Sequence, residues 1–210
     1  MPTMPKSLFW TRVDLPGAEH ALVDDRSALL ARGTALAAGP VGYTCRYEIR
    51  TDTAWASVYA EVSCEGAGWL RTLRLERAAG RWRIGTAERG DLDRLLTSAG
   101  LAGAGLPGTE DPGRLDAALD LDLGGSPLTN TLPIRRLGLL DAPPGTTRTI
   151  TVAWVLVPSL TVLAAEQCYT VRAPGKIQYT SGDFTADLDV DPEGYLVRYP
   201  GLAERATGRA

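Results

Sequence analysis

Tyr43-Thr44-Cys45-Arg46-Tyr47-Glu48-Ile49-Arg50 alternates without a break. Tyr43, Cys45, Tyr47 and Ile49 fall on one face, and Thr44, Arg46, Glu48 and Arg50 on the other. That period of two is the pattern of a half-buried β-strand. Thr51-Asp52 then turns the chain. Downstream, Trp55–Cys64 places Ala56, Val58, Ala60 and Val62 on one side, and Trp69–Arg77 repeats the pattern with Leu73 and Leu75. Ala79-Gly80 is a hairpin signal, and Arg81–Ala87 returns. These four segments predict an antiparallel meander. Ala18–Asp24 and Ala28–Ala37 are weaker strand candidates ahead of it.

The rhythm stops and then resumes. Asp91–Ala99 reads as a short helix with Leu92, Leu95 and Leu96 on one side and Asp91 at its start. Gly100–Gly113 is rich in Gly and Pro and reads as an exposed, mobile loop. From Leu115 to Leu123 apolar residues alternate with Asp116, Asp120 and Asp122. Further strands are expected over Leu128–Leu140, Thr147–Val157, Leu160–Val171, Lys176–Ser181, Phe184–Val190 and Tyr195–Tyr199, with turn signals at Pro174-Gly175, Ser181-Gly182 and Pro192–Gly194. The expectation is an all-β fold of roughly a dozen strands, an antiparallel β-barrel or a roll, since closure is how long sheets dispose of their edges. The 210 residues read as a single domain of two halves, about 10–88 and 115–202, joined by the helix and loop of 89–114.

Composition narrows the function. Apolar residues make up 44% and charged residues 22%, and the net charge is −3. A basic field for nucleic acid is therefore not expected. One histidine, His20, and three widely spaced cysteines, Cys45, Cys64 and Cys168, leave little material for metal centres or nucleophilic catalysis. The cysteines read as buried thiols of a cytoplasmic protein. The N-terminal stretch lacks a secretory pattern, and the apolar run Ile150–Ala165, divided by Pro158-Ser159, is too short to cross a bilayer. Rich Ala, Arg and Gly usage suggests a GC-rich bacterial source. No phosphate loop, nucleophile elbow or HExxH helix is present, and no metal or cofactor is called for. Asp187, Asp189, Asp191 and Glu193 read as a solvated turn, without the spacing of a calcium loop.

One segment departs from the pattern. Asp120-Leu121-Asp122-Leu123-Gly124-Gly125 leads into Ser126-Pro127-Leu128-Thr129-Asn130-Thr131-Leu132-Pro133-Ile134-Arg135-Arg136-Leu137. Asp120 and Asp122, two apart, share a strand face. Arg135 and Arg136, taken as strand neighbours, face opposite sides, so one is expected inside and paired with the aspartates. Phase places Arg136 inside with Asn130, Leu132 and Ile134, unless Pro127 and Pro133 introduce a bulge that swaps the phase. Gln167 and Tyr169 share a face of a later strand.

The run from Ser126 to Leu137 closely resembles the hallmark of a bacterial family called "putative glycolipid-binding" proteins, with Leu128 where Phe is usual and Ser126 where Thr is common. The likeness extends over Trp10–Leu202. It takes in Trp10 with Glu19, Tyr47 to Asp52 and Trp55, Gly80 and Trp82, and Pro158. Further on it includes Gln167 with Tyr169, Tyr179, Phe184, Asp191 with Gly194, and Tyr199-Pro200-Gly201. Thr86–Gly113 stands out as an insertion. The resemblance implies an antiparallel barrel or spiral β-roll with internal duplication, and a cavity of apolar and aromatic groups with a polar end.

The leading expectation is a non-enzymatic protein that binds a small amphipathic molecule such as a lipid or glycolipid inside the barrel. Asp120, Asp122, Thr129, Asn130, Arg135, Arg136, Gln167 and Tyr169 are the candidate ligand residues, and five tryptophans and seven tyrosines suit sugar stacking and lipid contact. A metal-assisted phosphoester or diphosphate hydrolase built on Asp120, Asp122 and an arginine is the alternative. A structural or partner-binding protein, whose polar network serves folding alone, is the third reading. The oligomeric state is not legible.

Overall fold

The alternation at Tyr43–Arg50 becomes β4 (Tyr43–Thr51) in a computed structural model that describes residues 5–108 and 111–206. Its neighbours follow as hairpins: β1 (Lys6–Arg12), β2 (Gly17–Asp24), β3 (Leu30–Ala37), β5 (Ser57–Gly66), β6 (Trp69–Ala78) and β7 (Arg81–Arg89). Helix α1 (Leu92–Ser98) comes next, where the leucine spacing predicts it, with the Asp91 side chain capping its first turn. The second run holds β8 (Asp120–Leu123), α2 (Thr131–Arg136), β9 (Thr147–Val155), β10 (Val162–Ala173), β11 (Lys176–Ser181), β12 (Phe184–Val190), β13 (Leu196–Tyr199) and β14 (Ala203–Arg205).

All fourteen strands join one mostly antiparallel sheet in the order β7-β6-β5-β4-β3-β2-β1-β14-β13-β12-β11-β10-β9-β8. Every neighbour in that order is consecutive in sequence except one. β1 pairs with β14, Trp10 opposite Arg205 and Arg12 opposite Ala203, and this seam joins the two meanders. Neither seam strand is legible in the sequence. In β1 the outward Phe9 interrupts the polar row, and β14 has three residues.

The expectation of an antiparallel barrel needs correction. β8 runs parallel to β9, with Asp120 opposite Val152 and Leu123 opposite Val155. The end strands β7 and β8 do not pair, so the sheet is not closed. It curls instead, and the β8 end comes against β5: the Ser57 amide donates to the Leu119 carbonyl at 2.8 Å, and the Leu121 amide donates to Ser57 Oγ at 3.0 Å. The roll reading fits this arrangement.

Two expected strands also fail. Only Asp120–Leu123 of the alternating Leu115–Leu123 stretch is strand, because Pro112–Leu115 forms a 3₁₀ turn. The stretch Leu128–Leu140 begins as a 3₁₀ turn (Leu128–Asn130) and continues as α2. The prolines explain it. Pro127 opens the 3₁₀ turn and Pro133 sits in the first turn of α2, where a missing N–H costs nothing. Gly138, at φ 63°, ends the helix. Its amide donates to the Arg135 carbonyl at 3.1 Å, and the Leu139 amide donates to the Ile134 carbonyl at 3.0 Å, a Schellman closure.

Inward faces build a large core in which Trp10, Trp82, Leu73, Leu92, Leu96, Leu115 and Leu121 are buried. A second cluster gathers Ile134, Leu139, Tyr169, Tyr179, Leu188 and Tyr199 at the α2 side of β10–β13. Cys45 and Cys64 are buried free thiols in register across β4 and β5. The 100–108 loop, expected to be free, is pinned. Buried Arg71 donates to the Gly105 carbonyl at 2.8 Å, and the Asp93 carboxylate accepts from the Ala104 and Gly105 amides.

Candidate functional site

Turning Leu128–Arg136 into helix changes how the signature residues are aimed. Successive helical side chains point about 100° apart rather than to opposite faces. Arg136 reaches β8 and grips Asp120: Nε lies 2.9 and 3.0 Å from the two carboxylate oxygens, and Nη2 lies 2.6 Å from Oδ2. Asp120 is wholly buried, and burial raises its pKa although Arg136 pulls it down. Arg135 turns elsewhere. Its guanidinium stacks on Trp55 at 4.2 Å from the ring centroid, and Nη1 donates to the Glu193 carbonyl at 2.6 Å. The two arginines thus hold α2 from both sides.

Asp122 shares the Asp120 face, as the spacing predicts, but has separate partners. Its Oδ1 accepts from Thr129 Oγ1 at 3.0 Å and its Oδ2 from Gln167 Nε2 at 2.6 Å. The Tyr169 hydroxyl sits 3.0 Å from Gln167 Oε1 and 3.2 Å from Asn130 Oδ1. Asp122, Thr129, Asn130, Gln167 and Tyr169 therefore form one hydrogen-bonded chain across β8, α2's approach and β10. Burial raises the Asp122 pKa, and Gln167 and Thr129 oppose the shift.

One end of this chain opens into a cleft of about 290 Å³. Asp122 and Asn130 are the polar groups from the signature region that line it, with Ser126 beside them. Trp154 of β9, Tyr179 of β11, Phe184 of β12 and Tyr199 of β13 form its aromatic side. Three of these rings touch one another: centroids are 6.1 Å apart for Tyr179–Phe184, 6.1 Å for Tyr179–Tyr199 and 6.3 Å for Phe184–Tyr199. Phe184 is 50% exposed at the rim. Gly124, Gly125 and Trp154 also wall a neighbouring groove of about 350 Å³, lined by Leu15, Val41, Leu96, Leu101, Leu156 and Val157 among others. Gly125 has φ 80°, and a Cβ there would lie 2.6 Å from Arg12 Nη1. Only glycine fits between the two hollows.

Under the cleft lies a group the sequence reading did not place in a site. Ser126 Oγ donates to Glu19 Oε1 at 2.7 Å, and the Tyr47 hydroxyl donates to the same oxygen. Burial pushes the Glu19 pKa up to about 7, and its Oε2 is buried without a hydrogen-bond partner among the described residues.

Of the eight expected ligand residues, Asp122 and Asn130 line the cleft; Thr129, Gln167 and Tyr169 buttress them from behind. Asp120, Arg135 and Arg136 do not line it, because their charges are engaged in holding α2. The cleft's aromatic residues were missed as a set. Their signal was present, since Tyr179, Phe184 and Tyr199 are all part of the family likeness, but nothing in strand periodicity shows that three strands bring them together. A larger, shallower hollow of about 620 Å³ lies on the solvent face of β2–β5, where Arg32 and Arg50 pair with Glu48. Among the described residues no group of three or more His, Cys, Asp or Glu side chains converges as metal ligands. None of the described helices is long and apolar enough to cross a membrane.

The family model described as "Putative glycolipid-binding" matches residues 7–205. A crystal structure of a DUF1089-family protein from Pseudomonas aeruginosa is similar over 90% of this chain and 92% of that one, with 25% identity and a TM-score of 0.69. None of the curated proteins matches.

Proposed function

The chain belongs to the family of glycolipid-binding description, and from that premise we propose that it binds one amphipathic small molecule, a lipid or glycolipid, without acting on it chemically. The carrying observation is the shared wall. Trp154 and Gly124-Gly125 border both a polar, aromatic cleft and an apolar groove. A molecule with a polar head and an apolar tail matches that division, and ligand sites typically combine apolar lining with a few convergent polar groups. The hollow differs from the expected barrel lumen: it lies beside the β8–β9 end of the curled sheet. The hydrolase alternative loses its carboxylate pair, since both Asp120 oxygens face the Arg136 guanidinium.

Native mass spectrometry of the purified chain tests this reading. The expected result is a one-to-one complex with a lipid-sized mass after exposure to a bacterial lipid extract, lost in Trp154→Ala while the fold is retained by circular dichroism. A bare chain, together with an unchanged melting temperature across a lipid panel, would overturn it.

A further inference from the structure

We propose that the cleft selects an uncharged pyranose ring as the headgroup, stacked on the Tyr179–Phe184–Tyr199 wall and hydrogen-bonded by Asp122 and Asn130, and that it discriminates against phosphate and quaternary ammonium heads. The inference rests on the reading that this cleft holds the polar end of an amphiphile.

The aromatic geometry separates a sugar from a cation. An ammonium cage needs rings set around the cation with room for it between them. Here the three rings fill the space between themselves, with centroids 6.1–6.3 Å apart. They make a continuous wall with one accessible side. The C–H face of a pyranose lies flat on such a wall, and half-exposed Phe184 extends it to the mouth.

The polar groups are complementary to hydroxyls. Each Asp122 oxygen accepts one bond from the protein, from Thr129 or from Gln167, and keeps a further lone pair. Asn130 has Oδ1 within reach of the Tyr169 hydroxyl, while its Nδ2 has no protein partner among the described residues. The cleft therefore offers an acceptor and a donor side by side. A pair of neighbouring ring hydroxyls, each able to donate and accept, satisfies both. Tyr169 and Gln167 fix the two side chains from behind, so little ordering is left to the ligand.

Charge separates a sugar from a phosphate. No Lys or Arg lines the cleft. Arg136 is taken by Asp120, and Arg12, which borders the groove, has Nε 2.9 Å from Asp14. An anionic head would meet the Asp122 carboxylate with no cation beside it, an arrangement that costs more than any hydrogen bond returns.

The test holds the tail constant and changes the head. The full chain is titrated with n-octyl β-D-glucoside, n-octyl β-D-galactoside, octyl phosphate and octyltrimethylammonium, each below its micelle concentration, with tryptophan fluorescence and calorimetry as readouts. The better glycoside is expected to bind at least about tenfold tighter than either charged amphiphile, a difference of about 1.4 kcal/mol. Phe184→Ala and Asn130→Asp are expected to erase that preference, whereas Leu156→Ser in the groove weakens all four ligands alike. Equal affinities for all heads, or tightest binding of the phosphate or the ammonium compound, would overturn the sugar assignment and leave the amphiphile reading standing. Binding of none of the four would overturn both.

Discussion

The ring of Tyr47 crosses β3 directly over Gly33, its register partner, to reach Glu19 on β2. A Cβ at Gly33 would lie 2.2 Å from Tyr47 Cζ and Oη. Gly33 has ordinary strand geometry, so the need for glycine is steric: the phenol occupies the side chain's place. Gly33→Ala is expected to cost about 3 kcal/mol in denaturant unfolding, as overpacking of a core does. Tyr47→Leu in the same chain should recover part of that loss. Additive losses in the double variant would mean that the two residues are not coupled in this way.

Glu19, at the end of that bridge, makes folding sensitive to pH. Burial raises its pKa from 4.5 to about 7. A carboxyl raised on folding binds its proton more tightly in the folded state, so its contribution is fully present below the unfolded pKa. It declines as pH rises through the folded pKa and is level above it. Between pH 4.5 and pH 7 the decline amounts to about 3 kcal/mol. Glu19→Gln keeps an oxygen for Tyr47 and Ser126 and has no proton to lose. Its unfolding free energy, compared with wild type at pH 5 and pH 8, should show a deficit at pH 5 relative to pH 8 in the wild type's favour. Parallel curves for the two chains would show that Glu19 does not titrate near neutrality.

Such contacts mark the limit of what the sequence reveals. Alternation at Tyr43–Arg50 and the glycine turns made the meanders legible, because pleat and turn chemistry are local. The Asp91 cap and the leucine spacing did the same for α1. The signature was misread as strand because Thr129, Thr131 and Ile134 have β character and two prolines argue against a long helix; their first-turn positions become visible only when Gly138 is seen to close α2. The seam of β1 and β14 joins chain segments that start and finish the described fold, which no local pattern encodes. In the cleft, Asp122 and Asn130 were legible from their unusual setting, whereas Trp154, Tyr179, Phe184 and Tyr199 look like ordinary strand aromatics until the curl of the sheet aligns them.

Arg71 ties the connecting loop to the core. It is 1% exposed, with Nε 2.9 Å from Glu88, Nη2 3.0 Å from Asp93, and Nη1 donating to the carbonyls of Gly105 and Ser159 at 2.8 and 3.1 Å. Removing its charge leaves two carboxylates and two carbonyls without their donor. Arg71→Met should therefore release the 100–108 loop before the sheet melts. Limited proteolysis reads this directly, with cleavage near Leu101 and Leu106 accelerated at least about tenfold at a temperature where far-ultraviolet dichroism is unchanged. Cleavage at wild-type rates would show that Asp93 and the Thr86 hydroxyl, which donates to the Pro107 carbonyl at 2.6 Å, are enough to hold the loop.

Arg135 and Arg136 are expected to behave unequally, for a reason that helix geometry supplies. Arg136 is 14% exposed and its partner Asp120 is 0% exposed; Arg135 is 25% exposed and faces Trp55 and a backbone carbonyl. Arg136→Ala strands a buried carboxylate, which costs about 3–5 kcal/mol when a buried pair is broken on one side. Asp120 escapes part of that cost by keeping its proton, and its already raised pKa rises further once the cation is gone. The Arg136→Ala deficit should then be smallest in acid and grow as pH rises towards neutrality. Asp120→Asn in the same chain should relieve it at neutral pH, because the amide has no charge to leave unpaired. Arg135→Ala breaks a stacking contact and one hydrogen bond at a partly wet site, for about 1 kcal/mol, with little dependence on pH. Urea unfolding of the three variants across pH 5 to 8 distinguishes the cases. Equal and pH-independent losses at 135 and 136 would mean that Asp120 is not held as an ion in the core, and the pairing that fixes α2 against β8 would have to be given up.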